Sequence, residues 1–355
     1  MKPAVGTLIS SHVLVSLPKD IGRLYQKSQF GQPMSGNELR LNLIESAFLL
    51  EENKLIIYKD TKKIDFATLF ALAIKQDESF ENKYLVFREM RKRGIQTRDA
   101  HQDDFTFVCY RKDNESSEVI SFFICVYSER QKPSLFQLRK LIQVAEQNHG
   151  FLWLGIVDEE GDVTYYETSI VTPKGENKNK KYKPSIGVFL SNRVLLFQED
   201  TSTLLHRNEF YGRPFANGLQ LSHVEALYLM KNDMLTCINL KDNQMLSKDE
   251  FKNRILQTQS DLDLRYKVYT DLKHNGLIVK TGFKFGTHFR AYMKEPFHSH
   301  AEFIIHAIDA SYETQWSEIS RAVRLAHAVN KTLLFALIDE NENKPEYVSI
   351  GRLRP

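Results

Sequence analysis

Apolar residues recur along this chain with two periods, which predict alternating helices and strands. Some segments carry apolar side chains at helical spacing, as amphipathic helices do. Others are short and almost continuously apolar, as buried strands are. The helical segments include 41–50, 221–230 and 316–329, and the apolar runs include 302–308 and 332–338. Helices that alternate with buried strands predict an α/β (α+β) fold, in which mixed sheets are flanked by helices.

One further segment alternates aromatic and polar residues. Residues 283–292 read Phe-Lys-Phe-Gly-Thr-His-Phe-Arg-Ala-Tyr. This alternation predicts a strand, and Gly286 would mark a β-bulge within it.

The same order of segments occurs twice in the chain. Pro33 and Pro214, each two residues after a glycine, lie 181 positions apart. Four further matches follow at nearly the same offset: 41–50 with 221–230, 84–94 with 266–276, Tyr110 with Tyr292, and 152–158 with 333–339. Because the offset drifts by only one or two residues, the pattern indicates two tandem repeats.

Each repeat is predicted to have a small N-terminal α/β subdomain followed by a second subdomain with a mixed sheet. The segment between the repeats is polar and lysine-rich and is bounded by Pro173 and Pro184, which is typical of an exposed linker. Its lysines are either solvated or in contact with phosphate groups. The predicted boundaries are 1–83, 84–171, linker 172–184, 185–262 and 263–355.

One set of three polar residues in the second repeat is only partly retained in the first. The second repeat carries Tyr292, His300 and Lys331, and the corresponding positions of the first hold Tyr110, Val119 and Gly150. Two polar side chains are therefore missing from a repeat whose apolar framework persists. The sequence predicts one catalytic repeat and one scaffold repeat; the alternative is that all three residues are incidental surface positions.

Several motifs of the second repeat are specific in their residue order. They are Phe210–Pro214, Glu225–Tyr228, Lys280–Gly286, Phe289–Tyr292, His300–Phe303 and Arg321–Lys331. The first two resemble the N-terminal domain of archaeal tRNA-intron endonucleases, and the others resemble the catalytic domain of that family. The tandem arrangement is similar to the homodimeric form, which joins a degenerate nuclease-like copy and an active copy in one chain. The resemblance covers nearly the whole chain.

This resemblance implies RNA cleavage without a metal ion or other cofactor. A ribose 2′-OH would attack the adjacent phosphodiester and leave 2′,3′-cyclic phosphate and 5′-OH ends. Such chemistry needs a base, an acid and positive charge, and by resemblance these are Tyr292, His300 and Lys331. A free phenol ionises only near pH ~10, so the hypothesis requires Tyr292 and Lys331 to lie close together. His298 is the alternative acid, because Phe297-His-Ser-His-Ala contains both histidines.

The resemblance also implies a substrate and a partner. The substrate would be precursor tRNA with a bulge-helix-bulge, and Arg324 and Arg352 would hold a flipped base of the bulge; the alternative is that both arginines are merely solvated. The partner would be a second copy of the chain. It would receive the acidic turn formed by Asp158, Glu159, Glu160 and Asp162, unless this is an ordinary hairpin turn.

Composition leaves these expectations open and narrows the alternatives. The net charge of +3 permits a nucleic-acid partner without requiring one. No apolar run approaches the roughly 20 residues of a membrane helix, which favours a cytoplasmic protein with no membrane partner. The three cysteines form no zinc-binding pattern. A metal-dependent DNA nuclease, with Glu302 and Asp309 converging, and a non-catalytic RNA-binding scaffold remain as rival functions.

Overall fold

The protein is described by a computed structural model that covers residues 2–100, 104–112, 119–178, 180–297, 299–339 and 344–355. The chain forms two compact units, one of residues 1–131, 141–167 and 353–355, and the other of residues 132–140 and 168–352. None of the described helices is long and apolar enough to span a membrane.

The first repeat contains two sheets with helices on them. The strands are β1 (Ala4–Ile9), β2 (His12–Val15), β3 (Gln32–Met34), β4 (Glu38–Asn42), β5 (Leu55–Lys59), β6 (Lys62–Ile64), β7 (Gln96–Asp99), β8 (Phe107–Lys112), β9 (Val119–Ser128), β10 (Phe151–Val157) and β11 (Val163–Val171). The helices are α1 (Pro18–Ile21), which continues into a π-helical turn (Gly22–Lys27), α2 (Leu43–Glu51), α3 (Phe66–Gln76), α4 (Phe80–Lys92) and α5 (Leu135–Gln147). The strand orders are β3-β4-β2-β1-β5-β6 and β11-β10-β9-β8-β7.

The second repeat has the same sequence of elements. The strands are β12 (Ser185–Phe189), β13 (Val194–Leu196), β14 (Arg213–Phe215), β15 (Gly218–Leu221), β16 (Leu235–Asn239), β17 (Met245–Leu246), β18 (Ile278–Thr281), β19 (Phe289–Tyr292), β20 (Phe303–Ile308), β21 (Thr332–Leu337) and β22 (Glu346–Leu353). The helices are α6 (Glu199–Glu209), α7 (His223–Lys231), α8 (Lys248–Leu256), α9 (Leu262–His274) and α10 (Trp316–Ala328). The strand orders are β14-β15-β13-β12-β16-β17 and β18-β19-β20-β21-β22.

Strand registers confirm the duplication residue by residue. Gln96 pairs with Tyr110 in the first repeat and Ile278 with Tyr292 in the second, an offset of 182 on both strands. In the next part of the sheet Phe122 pairs with Phe151, and Phe303 pairs with Thr332, an offset of 181. A slip of one residue would turn every side chain to the opposite face of the sheet. The two repeats therefore present corresponding positions on corresponding faces, and the predicted α/β fold is confirmed.

A buried glutamate explains why each repeat carries Gly-x-Pro before its amphipathic helix. Glu225 is the third residue of α7 and accepts hydrogen bonds from the N–H groups of Ser222 (2.9 Å) and Gly212 (2.9 Å). Ser222 in turn caps the helix, which completes a capping box. Gly212 has φ 58°, and a Cβ there would lie 2.4 Å from the carbonyl oxygen of Gln220. The glycine is thus required both by its backbone conformation and by the close approach of β15.

The structure corrects the strand predicted for residues 283–292. Only Phe289–Tyr292 is extended, and Phe283–Phe285 forms a 3-10 turn that ends at Gly286. The strand pairing explains the difference, because Thr281 is paired with Phe289 and the residues between them must reverse the chain direction. Aromatic alternation alone does not distinguish a strand from such a connection.

The linker is only partly the free spacer that its composition predicts. Most of its side chains are exposed, but its backbone is bound to the catalytic subdomain. The N–H of Gly175 donates to Asn275 O, that of Glu176 to Met293 O and that of Asn177 to Gly276 O, each at 2.9 Å. A linker that binds in this way has a defined path over the residues that follow α9.

A matched pair of glycines tests this attachment of the linker. Gly94 and Gly276 follow corresponding helices with φ 79° and 77°, but a Cβ meets nothing within 4 Å at Gly94, whereas at Gly276 it would lie 2.6 Å from Gly175 O. Both alanine variants carry the left-handed strain of about 1–2 kcal/mol. We expect only Gly276→Ala to lose hydrogen-exchange protection in residues 175–177. Equal protection in both variants would contradict the attachment.

Candidate active site

Tyr292 ends strand β19 and is almost fully buried. It is 8% exposed and packs with Ile278, its partner on β18, and with Ala301, against Phe210. The Arg290 guanidinium lies 5.7 Å from the centre of the Tyr292 ring. The side chain therefore lies at the end of a paired strand, where its position is fixed by packing.

Lys331 lies between helix α10 and strand β21. Its N–H donates to Ala326 O at 2.9 Å, which closes the end of the helix. Its ammonium group extends back and donates to Ala301 O at 3.0 Å. The same nitrogen lies 5.7 Å from the centre of the Phe285 ring, on the 3-10 turn.

His300 is exposed in the loop that leads into β20. Its neighbour Ser299 anchors this loop by donating from Oγ to Glu295 O at 2.7 Å. Ala301 follows His300 directly and is the residue that both Tyr292 and Lys331 contact. Tyr292 and Lys331 thus both lie beside Ala301, and His300 is the residue before it. The backbones of the three predicted residues lie at the same end of strands β19, β20 and β21. His298, the alternative acid, lies outside the described residues.

The first repeat has a valine and a glycine at the positions that correspond to His300 and Lys331. Val119 stands at the position of His300 and is 62% exposed. At Gly150, the counterpart of Lys331, even a Cβ would lie 3.0 Å from Phe123 and from Ser121 O. There is no room for a lysine side chain at this position unless its neighbours move.

Each repeat has a cleft next to its tyrosine. We call them the Tyr292 cleft and the Tyr110 cleft, with volumes of about 640 and 990 Å³. The Tyr292 cleft is lined by Asn192, Arg193, His206, Phe210, Gly212, Arg213, Gln220, Leu221, Ser222, Glu225, Lys280, Thr281, Phe283, Lys284, Arg290, Tyr292, Pro296 and Phe297. The Tyr110 cleft is lined by Tyr25, Gly31, Gln32, Pro33, Arg40, Asn42, Glu45, Arg98, Asp99, Ala100, Val108, Tyr110, Ser121, Phe123 and Asn148. Many of these positions correspond between the repeats.

Lys280 fixes the floor of the Tyr292 cleft. Its ammonium group donates to Gly212 O at 2.8 Å and lies 3.6 Å from a carboxylate oxygen of Glu225. Burial lowers the pKa of Lys280, while the neighbouring Glu225 carboxylate opposes this shift. In the first repeat the corresponding Arg98 donates instead to Gln29, and burial raises the pKa of Glu45 to about 7. Sequence reasoning gave Lys280 no role, although its counterpart Arg98 is also basic.

The two arginines predicted to hold a base lie on different elements. Arg324 is exposed on α10, where its Nε approaches Ser320 O at 3.4 Å, and Arg352 is exposed on β22. Both guanidinium groups are accessible to a ligand. The structure gives no direct contact between them.

The predicted docking residues form a tight turn between β10 and β11. Asp158 builds the turn, because its carboxylate accepts hydrogen bonds from the N–H groups of Glu160 (3.0 Å) and Asp162 (2.9 Å). Glu159 forms an ion pair with Arg130. Glu160 and Asp162 are exposed. The turn therefore contains two acids with structural partners and two that point outward.

The two carboxylates of the rival metal site do not converge. Glu302 precedes β20 and accepts a hydrogen bond from the N–H of Met293, whereas Asp309 follows β20 and binds Ser311. The strand between them places their backbones about 20 Å apart, at roughly 3.3 Å per residue. These two residues cannot share one metal ion.

Together, the fold and the site define a duplicated α/β protein with one tyrosine-histidine-lysine edge. Two family models of tRNA intron endonucleases match both repeats. The N-terminal domain model matches residues 4–70 and 185–252, and the catalytic C-terminal domain model matches residues 80–165 and 262–346. The chain therefore belongs to the tRNA intron endonuclease family.

Curated relatives agree over almost the whole length of the chain. The chain is 35% identical to the tRNA-splicing endonuclease of Methanococcoides burtonii, over 98% of this chain and 99% of that protein. It is 36% identical to the tRNA-splicing endonuclease of Methanosarcina barkeri, over 94% and 95%. The tRNA-splicing endonuclease of Halobacterium salinarum is 28% identical, over 94% of this chain and 95% of that protein. All three organisms are archaea, as the sequence resemblance implied.

Proposed function

We propose that this protein is a tRNA-splicing endonuclease that cuts precursor tRNA at bulge-helix-bulge sites, as a homodimer in the cytoplasm. The observation that carries the proposal is the asymmetry between two repeats of equal register. The second repeat has His300 and Lys331 where the first repeat has Val119 and Gly150. The names of relatives that match the chain from end to end support the choice of substrate.

The proposed reaction is a transesterification within the RNA. The phenolate of Tyr292 takes the proton from the ribose 2′-OH, whose oxygen bonds to the adjacent phosphorus. The bond from phosphorus to the 5′ oxygen breaks, and His300 donates a proton to that oxygen. Lys331 stabilises the additional negative charge of the phosphorane. The products are a 2′,3′-cyclic phosphate and a 5′-OH, and the nucleophile belongs to the substrate.

The contacts around Ala301 support these roles. Lys331 binds the carbonyl oxygen of the residue after His300, and Tyr292 packs on the same residue. A short shared backbone segment is a rigid way to hold catalytic groups at a fixed separation. Exposure of His300 suits a group that must exchange protons with solvent between turnovers.

The equivalent tyrosines provide a matched test of catalysis. Tyr292→Phe, His300→Ala and Lys331→Ala should each slow single-turnover cleavage of bulged precursor RNA by at least about 100-fold, a typical contribution of one such group. Tyr110→Phe removes the same hydroxyl from the first repeat and should cleave normally. Cleavage should persist in EDTA and leave cyclic phosphate ends.

Near-normal cleavage by His300→Ala would move the acid role to another group, with His298 the first to be tested. A loss caused equally by Tyr110→Phe would contradict the assignment of one catalytic repeat. Circular dichroism of each variant serves as the control for folding.

Recognition of a bulge by Arg324 and Arg352 is the second part of the proposal. Planar guanidinium groups stack on unpaired bases, and both arginines are exposed. Arg324→Ala should reduce the cleavage rate of bulged RNA by a factor at least about tenfold larger than the factor by which it reduces the affinity for a fully paired duplex. Exposed Arg321 on the same helix, which pairs with Glu318, is the matched control. An equal loss on both RNAs would argue against a bulge-specific role.

Dimer formation through the acidic turn is the third part. One complete site per chain and two cuts per intron require two chains. Glu160 and Asp162 point outward, whereas reversal of Asp158 would disrupt the turn itself. Glu160→Lys/Asp162→Lys should therefore halve the mass measured by light scattering. Glu78→Lys/Glu81→Lys makes the same charge change elsewhere on the first repeat and should leave the mass unchanged; a docking variant that remains dimeric would refute this role.

A further inference from the structure

The Tyr292 cleft differs from its counterpart in charge. Among the described residues, five basic side chains and one carboxylate line it, whereas two basic and two acidic side chains line the Tyr110 cleft. The basic residues of the Tyr292 cleft are Arg193, Arg213, Lys280, Lys284 and Arg290, and its carboxylate is Glu225. A concave surface with one sign of charge attracts and holds ligands of the opposite sign.

Three corresponding positions account for much of this contrast. Arg213 replaces Gln32, Thr281 replaces Asp99, and Arg290 replaces Val108. Each of these three replacements makes the catalytic repeat more positive, whereas Gln220 in place of Arg40 removes one positive charge. The fold around these positions is retained. The charge is therefore not a consequence of the shared architecture.

Arg290 has no acceptor for its charge among the described residues. Its Nε is buried without a hydrogen-bond partner, and its guanidinium group faces the ring of Tyr292. A buried donor without an acceptor costs free energy, so the arrangement favours an incoming anion. Lys280, by contrast, is already committed to Gly212 and Glu225.

Two aromatic rings stand exposed on the walls of the same cleft. Phe283 is 85% exposed at the start of the 3-10 turn, and Phe297 is 53% exposed. Phe297 is supported by edge contacts to Phe210 and His206, with ring centres 5.6 and 5.7 Å apart. An exposed ring beside a basic surface is the arrangement by which proteins hold single-stranded nucleic acid, since every base has a face that can stack.

The turn that carries Phe283 also reaches the candidate catalytic edge. Phe285 lies near Lys331, and Tyr292 itself lines the cleft. An RNA strand with one phosphate bound at Tyr292 and Lys331 would place its next nucleotide in the cleft. The cleft volume of about 640 Å³ is that of a compact ligand site, on the order of one or two nucleotides.

We propose that the Tyr292 cleft holds the unpaired RNA next to the cleaved bond, with Arg213 and Arg290 bound to phosphates and Phe283 stacked on a base. This inference rests on the proposed function and deepens it. By holding the flanking nucleotide unstacked, the cleft would present the 2′-OH in line with the bond that breaks. Phe283 and Arg290 are positioning residues in this account, and they take no proton.

Substitution by the residues of the first repeat provides the test. The probe is a bulged RNA with a 2′-deoxy nucleotide at each cleavage position and 2-aminopurine in the bulge, so that it binds without being cut. Arg213→Gln/Arg290→Val should lower the slope of log affinity against log salt by about 1.4, because each lost phosphate contact on a single strand contributes roughly 0.7. Arg40→Gln, which gives the Tyr110 cleft the residue of the second repeat, should leave the slope unchanged.

Phe283→Ala should weaken binding at least about fivefold without changing the salt slope, since stacking involves no ion release. It should also restore the 2-aminopurine fluorescence that wild-type protein quenches. Suppose that the salt slope of Arg213→Gln/Arg290→Val and the fluorescence with Phe283→Ala both equal those of the wild-type protein, and that the wild-type protein cleaves normally. That result would overturn the cleft assignment alone. An equal loss of slope in Arg40→Gln would also overturn it, whereas a wild-type protein that fails to cut bulged RNA would refute the proposed function itself.

Discussion

The buried carboxylate of Glu225 is the interaction on which the rest of the second repeat depends. It caps α7 through Ser222, holds the Gly212 loop, and pairs with Lys280 on β18. Helix, loop and hairpin are thereby fixed to one another around a single charged group. Breaking such a buried pair by removing one partner leaves the other charge without compensation, which is strongly destabilising. The geometry of the Tyr292 cleft follows from this contact, because its floor is Lys280 and its rim is the Gly212 loop.

Duplication has preserved this framework and changed the chemistry. Glu45 makes the same hydrogen bonds to Gly31 and Asn42 in the first repeat. The corresponding Arg98 donates to Gln29, and burial raises the pKa of Glu45 to about 7. The first repeat thus retains the capping box, while the described residues of its cleft carry as many acidic as basic side chains. The two repeats share their strand registers but differ in the side chains of their clefts. The residues that fold each repeat are therefore distinct from those that determine the chemistry of its site.

The candidate site depends on short backbone segments and on packing. Tyr292 ends a strand, Lys331 precedes one, and His300 lies in the loop before the strand between them. Tyr292 and Lys331 both lie beside Ala301, the residue after His300, because β20 lies between β19 and β21 in the sheet. The 3-10 turn brings Phe285 to Lys331 and leaves Phe283 in solvent. The connection between β18 and β19 thus shapes the cleft as well as closing the hairpin.

The sequence alone determined the repeats, the alternation of helices and strands, and the three candidate catalytic residues. The repeats and the alternation follow from short-range periodicity and from comparison within one chain, and the catalytic candidates also rest on resemblance to a known family. Tertiary structure decided that 283–285 is a turn, that the linker binds beside Gly276, and that Lys280 is committed while Arg290 has no acceptor among the described residues. Lys280 and Gly212 lie 68 residues apart. Contacts at such separations depend on how the elements pack, and no local pattern of apolar and polar residues records them.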